Sequence, residues 1–409
     1  MNATQWAASI EDELKNNILS FWLNHTTDEV NGGFYGYINR SQQVDKTADK
    51  ALVLNARIMW TFSAAYRLYR DSRYLETARR AYQFLKDHFT DAEHGGLYWS
   101  VSAAGEPVST KKQVYGQAFV IYAYSEFYRA TGDVSILKEV IELYHVLERH
   151  AYDPVHQGYI EALTREWKET NHNSLSAKDL NSKKSMNTHL HVLEAYTNLY
   201  RIWPAPELRH QLHELITVTL DRIVCQDSWH FKLFFDMEWQ RESDHISYGH
   251  DIEGSWLLYE AAEVLGEPDL LAKVRSAALQ MAEATLKEGV DQDGGLFNEA
   301  GPSGLLDTDK DWWPQAEAVV GFYNAFQLTG NETYRDAALK AWTFIERHLV
   351  DKKHGEWHWS VRRDGTLSHN EEKAGPWKCP YHNSRACMEM IQRLSTHAEF
   401  HNNKTLEVE

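Results

Sequence analysis

Three histidines stand in this chain at places where a proton-transfer group could be held in position. His191 closes the run Asn187-Thr188-His189-Leu190-His191, and Asn187 lies four residues before it, on the same face of an otherwise apolar helix. His250 sits in Tyr248-Gly249-His250-Asp251-Ile252-Glu253, at a glycine-marked helix start with Glu253 one turn on. His382 follows Pro376, Trp377 and Pro380, a stiffened loop expected to lie just ahead of the final helix. Imidazole is the side chain that titrates nearest neutrality, so groups of this kind suit general acid and base catalysis. Each also has a plain structural reading. His191 could be a satisfied core group, Asp251 and Glu253 could merely complement a helix N-terminus, and Trp377 could cap a core. The chemical reading has Glu253 reaching the His250 ring and fixing its tautomer. It gives Trp377 the part of a flat platform for a sugar, with His382 as the proton carrier.

Further groups belong to the same pattern. Trp312-Trp313-Pro314-Gln315-Ala316-Glu317 opens another helix, and Tyr115 begins a third. Arg57 falls inside an apolar helical pattern, where a charge is costly unless it is paired or functional. His250 and Glu253 with His191 or His382 could in principle form a two-histidine, one-carboxylate metal site. Those ligands would come from separate segments, with no compact H-E-x-x-H, and the reading is of chemistry without a metal or other cofactor. No G-x-x-x-x-G-K-[ST] or G-x-G-x-x-G is present to cradle a phosphate.

What positions these residues is a repeat. Gly32-Gly33-Phe34, Gly95-Gly96-Leu97 and Gly158-Tyr159 are spaced 63 residues apart, and Gly294-Gly295-Leu296 and Gly355-Glu356-Trp357 return 61 apart. Trp229 to Phe235 reads as a degenerate copy between them, which makes six elements. Paired helical patterns separate them, at 48–69 with 73–89, 114–131 with 136–150, 186–202 with 206–225, 251–265 with 269–286, and 314–328 with 332–349. A first helix over 5–25 and a last over 384–398 complete about twelve. An open solenoid of helix pairs typically uses shorter units and polar caps. Six long units, whose first helix can pair with the last, close more naturally into an all-α (α/α)6 barrel with short strand-like turns at one end. The chain is read as one catalytic domain over 1–409, with the polar stretch 161–185 as a loop over the barrel mouth.

Composition narrows the partners. The chain carries 59 acidic against 42 basic residues, a net charge of −17, which disfavours nucleic acid and anionic membrane. Aromatic side chains and 21 histidines are abundant, as expected where sugars are stacked and protons moved. Three cysteines without a C-x-x-C pair, a start lacking a basic-then-apolar leader, and no long apolar run point to a cytoplasmic protein, monomeric or a weak homodimer.

The segments NTHLHVLEAYTNLYR (187–201), SYGHDIEGSWLLYEAAE (247–263), DWWPQAEA (311–318) and GPWKCPYHNSRACMEM (375–390) together resemble the cellobiose 2-epimerase branch of the N-acylglucosamine 2-epimerase superfamily. The resemblance covers nearly the whole chain and implies the same (α/α)6 barrel. It implies that His250 and His382 are acid/base histidines on opposite faces of a sugar, with His191 assisting ring opening or holding an enediolate. Arg57, Tyr115, Asn187 and Glu253 would line the reacting sugar, Trp313 and Trp377 would wall it, and Ser176 and Asp179 would contact a second sugar. The implied reaction inverts carbon 2 of the reducing-end glucose of a small-molecule β-1,4 disaccharide. Two rivals within the superfamily are an N-acylglucosamine 2-epimerase and a mannose aldose–ketose isomerase. A rival of another class is an inverting glycoside hydrolase using Glu253 and Glu317, whose carboxyl groups would have to stand about 6.5–9.5 Å apart.

Overall fold

The computed structural model describes residues 3–368 and 372–406. Its first helical rod runs from Ala3 to His25 as α1 (Ala3–Asp12), a π-helical stretch Glu13–Leu19 and α2 (Ser20–His25). Five helix pairs follow: α3 (Leu52–Tyr69) with α4 (Ser72–Phe84), α5 (Val114–Thr131) with α6 (Val134–Ala151), α7 (Met186–Tyr200) with α8 (Pro206–Val218), α9 (Tyr248–Leu265) with α10 (Pro268–Glu288), and α11 (Trp312–Thr329) with α12 (Glu332–Phe344). The last helix, α13 (Tyr381–Leu406), packs against α1.

Amphipathicity separates the two members of each pair. Inner helices are apolar nearly all round; in α5 every residue from Val114 to Phe127 is buried. Outer helices bury one stripe only, as α4 does with Tyr74, Ala78, Ala81 and Phe84. The inner helices touch in the order α3, α5, α7, α9, α11, α13, and α13 returns to α3. That contact closes the ring, which an open solenoid would leave apart. The (α/α)6 barrel expected from the repeat is the fold observed.

Each of the six turns carries one bridge between its two arms: Thr27–Phe34, Thr90–Leu97, Tyr152–Tyr159, Val224–Phe231, Val290–Leu296 and Val350–Trp357. The degenerate copy at 229–235 is therefore a true sixth turn. Two-residue strands then stitch neighbouring repeats, as Lys50–Ala51 does to Ser100–Val101 and Lys112–Gln113 to Ala162–Leu163. Ile38–Asn39 pairs with Glu372–Ala374 and joins the first repeat to the last. All of this lies at the N-terminal ends of the inner helices and forms the barrel mouth. Gly33 and Gly96 hold positive φ in these turns, and a Cβ there would meet the rings of Phe84 and Trp167 at 2.6 and 2.5 Å.

A buried ion pair secures the turns. Lys50, Lys112, Lys184 and Lys310, each two residues ahead of an inner helix, bond Asp28, Asp91, Asp153 and Asp291 at 2.8–2.9 Å. In the degenerate repeat Ile246 holds the lysine's place, and His230 instead bonds Asp251 at 2.7 Å and Glu288 at 3.2 Å.

Several boundaries differ from the sequence reading. Helix α3 begins at Leu52 rather than 48, because Lys50–Ala51 is claimed by the strand pair. Helices α4, α8 and α12 end in π-helical turns (Leu85–Phe89, Thr219–Ile223, Ile345–Leu349) that a 3.6-residue period does not show. These turns bury their first apolar residues together with their last ones, Leu85 with Phe89 and Ile345 with Leu349. Among the described residues no helix is long and apolar enough to cross a membrane.

Candidate active site

The sequence-selected residues converge because inner helices start at the mouth and point their first turns into the barrel. Tyr115, His250, Trp313 and His382 lie in the first turn of α5, α9, α11 and α13, while Arg57 and His191 lie in the second turn of α3 and α7. His382 was expected ahead of the last helix. It is instead the helix's second residue, since α13 begins immediately after Pro380.

Trp313 brings two of the histidines together. Its ring centroid lies 4.7 Å from that of His250 and 5.4 Å from that of His382. His191 stands on the other side of the pocket, 4.7 Å from Phe119 and 5.0 Å edge-on to Tyr115. Trp377 packs 6.0 Å from Tyr115 and 6.2 Å from Trp99, half-buried, as a wall beside them. Arg57 gives a guanidinium N–H to the Tyr115 hydroxyl at 2.7 Å and lies over Phe119 at 4.2 Å, with its Nε buried and unpartnered. The Asn187 Oδ1 is likewise buried without a hydrogen-bond partner.

Each histidine is anchored through Nδ1. His191 bonds Glu194 at 2.9 Å, His382 bonds Glu317 at 2.7 Å, and His250 bonds the Ser247 hydroxyl at 2.7 Å. A carboxylate accepts the hydrogen bond of Nδ1–H, which keeps the proton on Nδ1 and leaves Nε2 of His191 and His382 with a free lone pair. Burial, reinforced by the positive charge of Arg57 and Arg385, holds His382 well below its ordinary pKa. Burial also lowers His191, against the pull of Glu194, and lowers His250 to about 3 with help from His191. At neutral pH all three are neutral imidazoles.

Glu253 does not reach His250. One turn deeper in α9, it accepts from Arg385 Nη2 at 2.6 Å, and its nearer histidine is His382, with 3.7 Å to Nδ1. The group that bonds His250 Nδ1 is Ser247 instead, and Arg385 holds the Glu253 carboxylate away from that ring. Burial and the neighbouring Glu317 push the Glu253 carboxyl well above the usual range, and its Oε2 is buried and unpartnered.

Glu253, Glu317 and His382 put ligand atoms within 4.8 Å of one another. Arg385 Nη2 bonds both carboxylates, at 2.6 and 2.7 Å, and already supplies the positive charge a cation would bring. The same separation is shorter than an inverting hydrolase needs, and both carboxyl groups are fully buried beneath the histidines.

Ser176 and Asp179 close a local turn, with Ser176 N and Oγ donating to Asp179 at 2.8 and 2.7 Å. Their loop meets the pocket wall through Leu175, which lines a cavity of about 250 Å3 with Trp99 and Trp377. Sequence reasoning missed Glu194 and Arg385, although both stand three residues after a selected histidine. It also missed Glu356, which has φ of 62° at a position where four of the other five repeats place glycine. Its carboxylate accepts from Lys378 at 2.5 Å and from Asn383, so it grips the segment carrying Trp377 and His382 from both sides. A non-glycine residue in this region costs about 1–3 kcal/mol and marks a constrained site.

Residues 33–386 match the family described as N-acylglucosamine 2-epimerase (GlcNAc 2-epimerase). A cellobiose 2-epimerase of Bacteroides fragilis is 49% identical over 93% of this chain and 97% of its own length. One from Ruminococcus albus is 39% identical over 94% of this chain and 98% of its own. The solved cellobiose 2-epimerase of Bacillus thermoamylovorans superposes with a TM-score of 0.92 at 39% identity, covering 95% of this chain and 100% of that one.

Proposed function

Because this chain belongs to the N-acylglucosamine 2-epimerase family and is a carbohydrate epimerase, we propose that it inverts carbon 2 of the reducing-end glucose of β-1,4 disaccharides, cellobiose and lactose among them. The observation that carries this reading is the pair of neutral imidazoles, His250 and His382, on one indole. The ring first opens so that carbon 2 lies beside an aldehyde, which acidifies its C–H. His191, Nε2 free, assists that step or holds the resulting oxyanion. One imidazole removes the proton from carbon 2 and a cis-enediolate forms. Arg57 stabilises its oxygens. The second imidazole, having taken up a proton from solvent, delivers it to the opposite face; glucose becomes mannose, and the first imidazole returns its proton to solvent.

Removal of a proton needs a neutral base, which the lowered pKa values supply. Delivery needs an imidazolium, which Arg57 and Arg385 disfavour in the empty pocket. The negative enediolate offsets that repulsion at the moment the proton is required. Trp377 and the 161–185 loop, with Ser176 and Asp179, make room for the second sugar. The relatives at 49 and 39% identity support a disaccharide over the monosaccharide alternatives.

Incubation with cellobiose in heavy water, followed by NMR, tests the proposal. The expected product is glucosylmannose with deuterium at carbon 2. Free glucose would establish hydrolysis, glucosylfructose an isomerase, and unchanged cellobiose would sink the reading. His250→Ala and His382→Ala should each lose at least about 10²-fold in kcat with the fold intact; a wild-type rate in either refutes the two-base assignment.

A further inference from the structure

Arg385 makes no hydrogen bond to any of the three histidines, yet two of them depend on it. It lies three residues after His382 on α13, so its side chain enters the same cluster one turn deeper. Nη1 donates to Glu194 on α7 and to the Tyr381 hydroxyl. Nη2 donates to Glu253 on α9 at 2.6 Å and to Glu317 on α11 at 2.7 Å. Glu194 is the group that orients His191, and Glu317 the group that orients His382. The guanidinium plane is held between the rings of Tyr381 and Trp256, at 4.4 and 4.8 Å. One planar fork thus joins four inner helices at the level beneath the reacting groups.

From the far side Arg385 borders a second space. A cavity of about 340 Å3 opens at the C-terminal ends of the inner helices, lined by Trp60, Tyr122, Glu126 and Glu194 as well as Arg385. Its rim includes the exposed residues Arg201 and Gln392, so small solutes reach it from the end opposite the mouth.

We propose that Arg385 is the positioning residue that sets His191 and His382 together, by holding Glu194 and Glu317 on a single guanidinium inserted from the rear of the barrel. A fixed rigid fork is required, because a lysine ammonium cannot present parallel N–H pairs to carboxylates on opposite sides. Loss of the fork frees both carboxylates to rotate, and a displacement of about 1 Å at a catalytic group costs on the order of 10²-fold in rate. Neither Glu194 nor Glu317 is among the residues proposed to hold the sugar, so KM is expected to stay close to that of the wild type.

This inference rests on the proposed epimerase reading, and wild-type turnover of cellobiose is the control that keeps the two apart. Arg385→Ala is expected to fold, to lose about 10²-fold in kcat with KM within about twofold of wild type, and to regain at least tenfold on addition of millimolar guanidinium. That rescue should be non-competitive with cellobiose, because guanidinium enters through the rear cavity, and guanidinium should not activate the wild type. If Arg385→Ala keeps wild-type kcat, or if a folded Arg385→Ala is not rescued while wild type is active, the proposal is overturned. If the alanine variant does not fold, Arg385→Lys decides: the expected result is a kcat reduced at least tenfold with KM unchanged, and wild-type kcat overturns the assignment. An inactive wild type would instead bring down the functional reading.

Discussion

Replacing Glu194 by glutamine removes one negative charge from a fully enclosed cluster while keeping its volume. Burial by itself would raise the carboxyl's pKa, but Arg385, His191 and Tyr381 overcome that and lower it from 4.5 to about 2. A shift of that size corresponds to about 3 kcal/mol of interaction available to the carboxylate and not to the neutral acid. Because the folded value is depressed, the contribution is complete above the unfolded pKa of 4.5 and disappears as pH falls toward 2. Glu194→Gln is therefore expected to unfold about 3 kcal/mol more easily than wild type at pH 7, and about 2 kcal/mol more easily at pH 3.5. Urea titrations of both proteins at the two pH values measure the gap, and groups common to both cancel in the difference. A gap below about 1 kcal/mol at pH 7, or one that fails to narrow in acid, would refute the view that Arg385 and His191 hold this carboxylate ionised.

Two further outcomes follow from buried charges outside the pocket. Lys50→Met strips the partner from Asp28 inside a turn where both are nearly inaccessible, and is expected to cost about 3–5 kcal/mol in chemical denaturation; near-wild-type stability would show that the turn clamp is dispensable. Burial raises Glu161 to about 7 although Ser185 bonds it at 2.6 Å, so its folded pKa lies above the unfolded 4.5. Its folded state holds the proton longer, and the wild type should lose about 3 kcal/mol from this group as pH rises from 4.5 through 7. Glu161→Gln should be relatively more stable at pH 8 than at pH 5, read by parallel melts; an equal difference at both pH values would contradict the assignment.

Much of the molecule was legible because its repeat is written in residue types with strict conformational demands. Paired glycines at 63-residue spacing marked the turns, and the apolar periods between them gave the helix pairs. The closing contact of α13 on α3 needed only that arithmetic of six units. The lysine two positions ahead of the inner helices was equally periodic, but its significance depended on an aspartate some twenty residues earlier that only the folded turn brings to 2.9 Å. Strand pairs of two residues and π-helical turns left no periodic trace to read.

The site divides along the same line. The sequence by itself determined which side chains open the inner helices, and therefore that His191, His250, His382, Arg57, Tyr115 and Trp313 face one enclosed space. It could not say what each Nδ1 bonds, because those partners are either short-range choices among several polar neighbours or residues on other helices. Ser247 rather than Glu253 serves His250, and Glu317, 65 residues before His382, serves the last histidine. Only the closed barrel brings Glu194, Glu253 and Glu317 onto one guanidinium, since carboxylates on three separate helices share a counter-charge only when the ring that carries them is complete.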